Sequence, residues 1–407
     1  MDDLPIGMDN KLFVTIIVVA AVIAGVSIAA FNYDSEDGTS DDSGMFNVIA
    51  RANSEGSGIY ISETIYSGIG TPERNDTYFF GDGTPGNYSV SSANKAAWGG
   101  LVFGTPGTSS IQHTQIADLA NQMGLKFKLY TYGEDKSNDT IYYDSGVTKY
   151  TDALSNDVID GGILWEPQYQ LIITDGSNKY KELALTNDVF PGHTCCVIAG
   201  NSDYMKKNEL ATEKFLAGYV RGVEDIKNIL SDKTSPEYAE FIAFVKTKVI
   251  ALNESSDDVV AKALDNITYL YADDATGNLD DLEKDIANLV KDLKTLNAFK
   301  KDVSNPELFA EEFVKQTYLK KAISEDLGTS STGRVKVAVI TGDIHQIAIH
   351  WADEKGYFSS LGLGVDIVGS NNGAGVATAL INGEATLGFL GAPPATITTV
   401  NAGYITA

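Results

Sequence analysis

Cysteine is nearly missing from these 407 residues: there are two, adjacent at Cys195-Cys196. That excludes a disulfide framework and a zinc site of paired-Cys spacing. Neighbouring residues bridge only under strain, so two buried thiols are expected. Positive charge is scarce too. Against 55 Asp and Glu stand 30 Lys and Arg, a formal net charge of −25. Phosphate binding needs clustered cations, so nucleic acid is excluded as a partner; the acidity serves solubility. There is no P-loop, no His-Glu-X-X-His, no Gly-X-Ser-X-Gly and no internal repeat. The signatures of nucleotide, zinc-hydrolase and serine-hydrolase chemistry and of repeat adhesion proteins are therefore absent.

One long uncharged run is present. Residues 12–31 carry no Asp, Glu, Lys or Arg, and at about 1.5 Å per residue they are long enough to cross a bilayer as a helix. The run is longer than a usual signal core, and its flank holds one lysine among aspartates. An uncleaved anchor is expected, with a cleaved signal and secretion as the alternative. Lys11 inside and the acidic 34–42 segment outside suit the positive-inside rule, which puts the rest of the chain on the extracytoplasmic face of the cell membrane. Residues 34–44, rich in Asp, Ser and Gly, predict a flexible stalk. Sequons at Asn75, Asn87, Asn138, Asn253 and Asn266 permit glycosylation of an exported protein.

The clearest organisation lies at the far end. Residues 335–340 are an apolar, β-branched strand; a polar turn through His345-Gln346 opens a helix that Gly356 stops as a C-cap. Residues 365–368 make a second strand before a helix opening at Gly373, and 387–390 a third before Gly391-Ala-Pro-Pro394. Three β-α units with short connections predict an α/β chain with a parallel sheet, its ligand edge at the strand ends and helix N-termini. Upstream, strands at 46–50 and 59–61 flank Asn53-Ser54-Glu55, and 71–94 reads as a long surface loop. A strand at 101–103 enters Thr105-Pro-Gly-Thr108-Ser109-Ser110, where hydroxyls ahead of a helix make either an anion nest or a simple N-cap. Trp165-Glu166-Pro167 follows a buried strand. From 204 to 327 the apolar period is helical, with Ser235-Pro236 and Asn305-Pro306 as helix starts.

The wording of the last stretch is specific. His345-Gln346 before a helix, Glu354-Lys-Gly-Tyr-Phe358, Asn382-Gly-Glu384 and Gly388-Phe-Leu-Gly-Ala-Pro-Pro394 together resemble the opening of the solute-binding proteins of ABC importers for nitrate, sulfonate, taurine and bicarbonate. That family includes a branch for thiamin-pyrimidine precursors. The Asn-Ser-Glu-Gly-Ser loop at 53–57, the Pro-Gly loop at 104–110 and Trp-Glu-Pro are similar to its later blocks. Placing residue 45 after 407 restores the family's order. The resemblance thus implies a two-lobed periplasmic-binding-protein-like fold of type II in a circularly permuted chain, with a fragment of a tandem protein as the rival.

On that footing the chain divides into an anchor or signal (1–33), a stalk (34–44), a continuation of lobe one (45–93), lobe two (94–189), a return strand and helices of lobe one (190–327), a linker (328–333) and the opening units of lobe one (334–407). Crossings between lobes are expected near 94–98 and 188–192. The implied cleft is lined by His345, Gln346, Asn372, Gly373, Gly391, Ala392, Pro393, Asn53, Ser54, Glu55, Thr105, Thr108, Ser109, Trp165, Glu166 and His193. The implied role is capture of a small anion or zwitterion (aliphatic sulfonate, taurine, nitrate or bicarbonate) and its delivery to ABC permease subunits in the membrane. The alternative is a thiamin-pyrimidine-precursor binding protein or a related synthase of the same fold. No cofactor, metal ligand, catalytic residue or enzyme activity is expected.

Overall fold

The computed structural model describes residues 45–69, 77–272, 279, 281–403 and 405, all within one compact unit. The expected anchor and stalk lie outside them. Among the described residues no helix is long and apolar enough to cross a membrane.

The chain enters on β1 (Phe46–Glu55), breaks at Gly56, and continues as β2 (Ser57–Ser62). There follow β3 (Val102–Thr105), α1 (Ile111–Gln122), β4 (Lys126–Leu129), β5 (Thr140–Ser145), β6 (Gly161–Trp165), α2 (Gln168–Ile173) and β7 (Tyr180–Leu185). After β8 (Thr194–Asn201) come α3 (Glu209–Ser231), α4 (Pro236–Lys248), α5 (Asp257–Asp265), β9 (Ile267–Tyr269), α6 (Asp281–Thr295), α7 (Pro306–Phe313) and α8 (Thr317–Ser324). The last stretch is β10 (Gly333–Ile340), α9 (Ile347–Glu354), β11 (Leu363–Ser370), α10 (Gly373–Ile381), β12 (Leu387–Gly391) and α11 (Ala392–Ala402).

The strands build two six-stranded sheets, ordered β11-β10-β12-β8-β1-β9 and β4-β5-β3-β6-β2-β7. Each has a parallel part followed by antiparallel strands. In the first, β11, β10 and β12 run parallel, while β8, β1 and β9 pair antiparallel. In the second, β4, β5, β3 and β6 run parallel, and β2 and β7 pair antiparallel. The three β-α units of 334–407 form as the pattern predicts, with Gly356 in the left-handed region at φ 69°. They do not make a sheet of their own. β12 pairs with β8, so strands from both ends of the described chain complete one sheet.

The helical stretch covers the first sheet. Phe215, Leu216, Tyr219, Val223 and Ile226 of α3 are all buried, and Phe215 stacks on Phe358. Ser235 and Asn305 cap α4 and α7 with Pro at the first helical position, as the sequence predicts.

Three expectations are corrected. The first crossing falls at Gly56, not at 94–98, because β2 pairs with β6 and β7 of the second sheet. A short apolar run such as 59–61 does not say which sheet it joins. The 71–94 stretch, described from 77 on, is no plain surface loop: Phe79 and Phe80 are fully buried against Trp98, whose indole N–H donates to Phe79 O at 2.8 Å. Asn266 is buried and hydrogen-bonded, so its sequon is closed in the fold.

Candidate functional site

The two sheets are joined where β1 becomes β2 and where β7 returns to β8, and buried polar groups gather there. Glu55 and Gly56 are consecutive left-handed residues, at φ 65° and 87°. The first is unusual for a side chain with a Cβ. Tertiary bonds hold it. Glu55 N donates to His193 O at 3.4 Å, and its carboxylate accepts from Gly192 N at 3.0 Å and Thr268 Oγ1 at 3.3 Å. One crossing is thereby stitched to the other. Burial pushes the Glu55 carboxyl up.

Gly56 O accepts twice, from Glu166 N at 2.9 Å and from His345 Nε2 at 2.9 Å. A Cβ at Gly56 would land on the His345 ring. The other ring nitrogen, Nδ1, lies 2.7 Å from Asp343 Oδ1. Both nitrogens therefore face oxygens, and a doubly protonated ring donates to both. Burial opposes that charge, but the Asp343 carboxylate outweighs it, and the group is raised to about 9. Gln346 ties the same loop to the sheet, donating to Asp343 Oδ2 and Phe389 O and accepting from Ile340 N.

Around this ion pair the side chains are polar and sealed. Glu166 is fully buried; its carboxyl accepts from Asn266 Nδ2 at 2.8 Å and from Gln170 N at 3.2 Å. Desolvation pushes it up to about 8, so it is protonated at neutral pH. His193 goes the other way. Gln115 Nε2 sits 3.1 Å from its Nε2 and Phe190 O is 2.8 Å from its Nδ1. This is the pattern of a neutral ring, and burial holds it at about 4. Cys195 and Cys196 are free, buried thiols with sulfurs 3.8 Å apart. The hydrogen bond from Cys196 lowers the Cys195 thiol, and the His345 charge helps. Among the described residues no group of three or more His, Cys, Asp or Glu is placed to hold a metal ion.

Several of these buried atoms have no partner: Asn53 Oδ1, Gln115 Oε1, Gln170 Oε1, Asn266 Oδ1 and Arg51 Nε. A buried polar atom left unmade costs about 1–3 kcal/mol, so each of these calls for an explanation; others occur elsewhere in the fold, at Gln316 and Thr396 among them. Cations here are already committed. Arg51 donates through Nη1 to Thr194 Oγ1 at 2.8 Å and pairs through Nη2 with Asp285 at 2.6 Å.

The predicted site residues divide accordingly. Asn53, Ser54, Glu55, Glu166, His193, His345 and Gln346 come together at the crossings, and Gly391 pairs beside Cys196 at the end of β12. Trp165 is half-buried opposite Ser57. Thr105 is buried but spent on His113 Nδ1 at 3.1 Å. Thr108 and Asn372 are exposed, the latter as the N-cap of α10, and Ser109 is half-buried beside Ser110, which caps α1. Gly373, Ala392 and Pro393 are buried; a Cβ at Gly373 would meet Pro394. Sequence reasoning missed Asp343, Gln115 and Asn266. Asp343 stands two residues before His345, and that spacing was the one available signal.

Residues 344–404 match the family model described as NMT1/THI5 like, a segment that holds His345, Gln346, the start of α10 and the Gly391–Pro393 turn. No curated protein matches the chain. Among solved structures, the ligand binding component of an ABC-type import system from Staphylococcus aureus with zinc bound is similar at 16% identity, over 68% of this chain and 74% of that one, with a TM-score of 0.40.

Proposed function

We propose that the protein is an extracytoplasmic solute-binding component of an ABC importer, which closes its two sheets around a small polar solute and releases it to membrane permease subunits. The observation that carries this is the group of unpartnered buried atoms at the two crossings. It is what a cleft built for a ligand leaves when the ligand's atoms are not counted. The family-model match over 344–404 supports the reading, since it takes in the loop that supplies His345. The paired left-handed residues at Glu55-Gly56 suit a hinge, where backbone strain is held by surrounding bonds. The protein binds its solute without converting it. The uncharged run at 12–31 holds it at the membrane, and its segments stand in circularly permuted order. The candidate solutes from sequence are an aliphatic sulfonate, taurine, nitrate or bicarbonate.

Small-angle scattering tests closure. A solute that binds should shrink the radius of gyration of the full chain and raise its melting temperature together. Consumption of that solute during incubation would establish an enzyme instead, the thiamin-pyrimidine synthase reading included.

A further inference from the structure

The unpartnered atoms at the crossings are not a random mixture. Asn53, Gln115 and Asn266 each leave a carbonyl oxygen unmade, and each amide is fixed in orientation by what its nitrogen does. Asn266 Nδ2 donates to Glu166 Oε1 at 2.8 Å and to Ser57 O at 3.3 Å, so reversing it would set oxygen against oxygen. Asn53 Nδ2 faces the carbonyls of Ser54 and Glu55, with the same consequence. Gln115 Nε2 faces His193 Nε2, which must accept because the other ring nitrogen donates to Phe190 O. The orphaned ends are therefore acceptors. They stand on three separate elements: β1, α1 and the turn before β9. The lone orphaned donor beside them is Arg51 Nε.

The charges agree. An anion entering here would find no free cation among these groups. Both nitrogens of His345 are taken by Asp343 and Gly56 O, and both Nη atoms of Arg51 by Thr194 and Asp285. It would instead meet the negative ends of three amide dipoles. A solute with several N–H groups meets the reverse, an acceptor for each donor.

We infer that the solute taken between the sheets is a nitrogen compound presenting several N–H donors, an amine, amidine or aminated ring without net negative charge, recognised by Asn53, Gln115 and Asn266. This rests on the solute-binding reading and departs from the small anion or zwitterion expected from the sequence by requiring N–H donors. A zwitterion such as taurine satisfies it only through its ammonium end.

The test is a calorimetric and thermal-shift titration of the full chain in mild detergent with two sets of probes. Taurine, ethanolamine, agmatine and cytosine carry N–H donors; isethionate, ethanesulfonate, nitrate and bicarbonate carry none. At least one N–H probe should bind roughly tenfold or more tighter than every probe of the second set. The Asn53→Leu variant, its fold checked by circular dichroism and by its melting temperature without ligand, should lose that preference. If isethionate, nitrate or another N–H-free probe binds as well as the amines, the ligand class is wrong while solute capture stands. If no probe of either set shifts the protein, the acceptors are filled by water, and this inference falls together with the reading beneath it.

Discussion

Both ring nitrogens of His345 meet acceptors, and that arrangement makes the residue sensitive to alkali. Its folded value near 9 lies above the ordinary 6.5, so the stability it contributes is complete below pH 6.5 and is lost as pH rises through 9. Glu166 acts in the same direction: protonated in the fold up to about 8, against 4.5 when free, it too makes the folded state the better proton binder. On the acid side His113, His193 and His350 are held near 4 by burial. Below 6.5 the unfolded chain takes up protons that the fold refuses, and stability declines there as well. Melting temperature measured from pH 4 to 10 should therefore peak near neutrality and fall on both sides. Replacing His345→Gln should cost about 3 kcal/mol at pH 7, since Asp343 is left buried without its counter-charge. It should also flatten the alkaline limb by one proton. A variant that melts lower but keeps the full alkaline slope would show that His345 is not the titrating group.

At the level of the element, the turn from β1 to β2 sets where the site stands. Gly56 is needed twice, for φ 87° and for the space that the His345 ring occupies. Gly56→Ala should lose about 1–2 kcal/mol to the left-handed backbone alone and more to displacement of the imidazole, with solute binding abolished. Retained binding at parental affinity would remove the crossing from the site. A second element-level test concerns α6. Asp285→Ala takes the partner from Arg51, whose guanidinium stays buried, and about 1.5–3 kcal/mol should go with that charged hydrogen bond; urea unfolding measures it. The sequence made these elements legible unevenly. The β-α units of 334–407 were readable because each has an apolar run of strand length, a small-residue turn and a helix stop. His345, Glu55 and Glu166 were legible only through the resemblance of their short polar motifs to the importer family's blocks. Which sheet β2 joins was not readable, because two φ angles at Glu55-Gly56 decide it and no side-chain pattern records them. Nor was the pairing of Gln115 with His193 or of Asn266 with Glu166, contacts between residues 78 and 100 positions apart. Such partners are found by the fold, not by spacing.

For the whole molecule the question is whether 334–407 belongs to the same folding unit as 45–327, and the sheet order bears on it. β12 lies between β10 and β8, so removing the last stretch strips one edge from β8 and uncovers the face of α3 that packs on Phe358 and Phe389. Trp351, Phe358, Phe389, Val337 and Ile347 are all essentially fully buried. At about 1.5–3 kcal/mol for each large apolar side chain, their combined loss is as large as the whole stability of an ordinary domain, about 5–15 kcal/mol. Residues 45–327 expressed alone should therefore stay unfolded by circular dichroism. The permuted order makes a complementary prediction. Met45 and Ile405 lie in one apolar cluster, and Lys300 N bonds Asn401 Oδ1 close by, so the two ends of the described chain share a core. A chain that starts at Arg334, runs through Ala407 into Met45 and stops at 327 keeps every strand pairing named above and exchanges one connection for another. Loop closure changes slowly with length, by about 0.6 kcal/mol per doubling. The relinked protein should thus show the same far-UV spectrum, melt within about 4 °C of the parent and retain whatever solute the parent binds. Cooperative folding of 45–327 alone would identify 334–407 as the start of a second copy, and an unfolded relinked chain would mean that the connection at 328–333 is itself part of the fold.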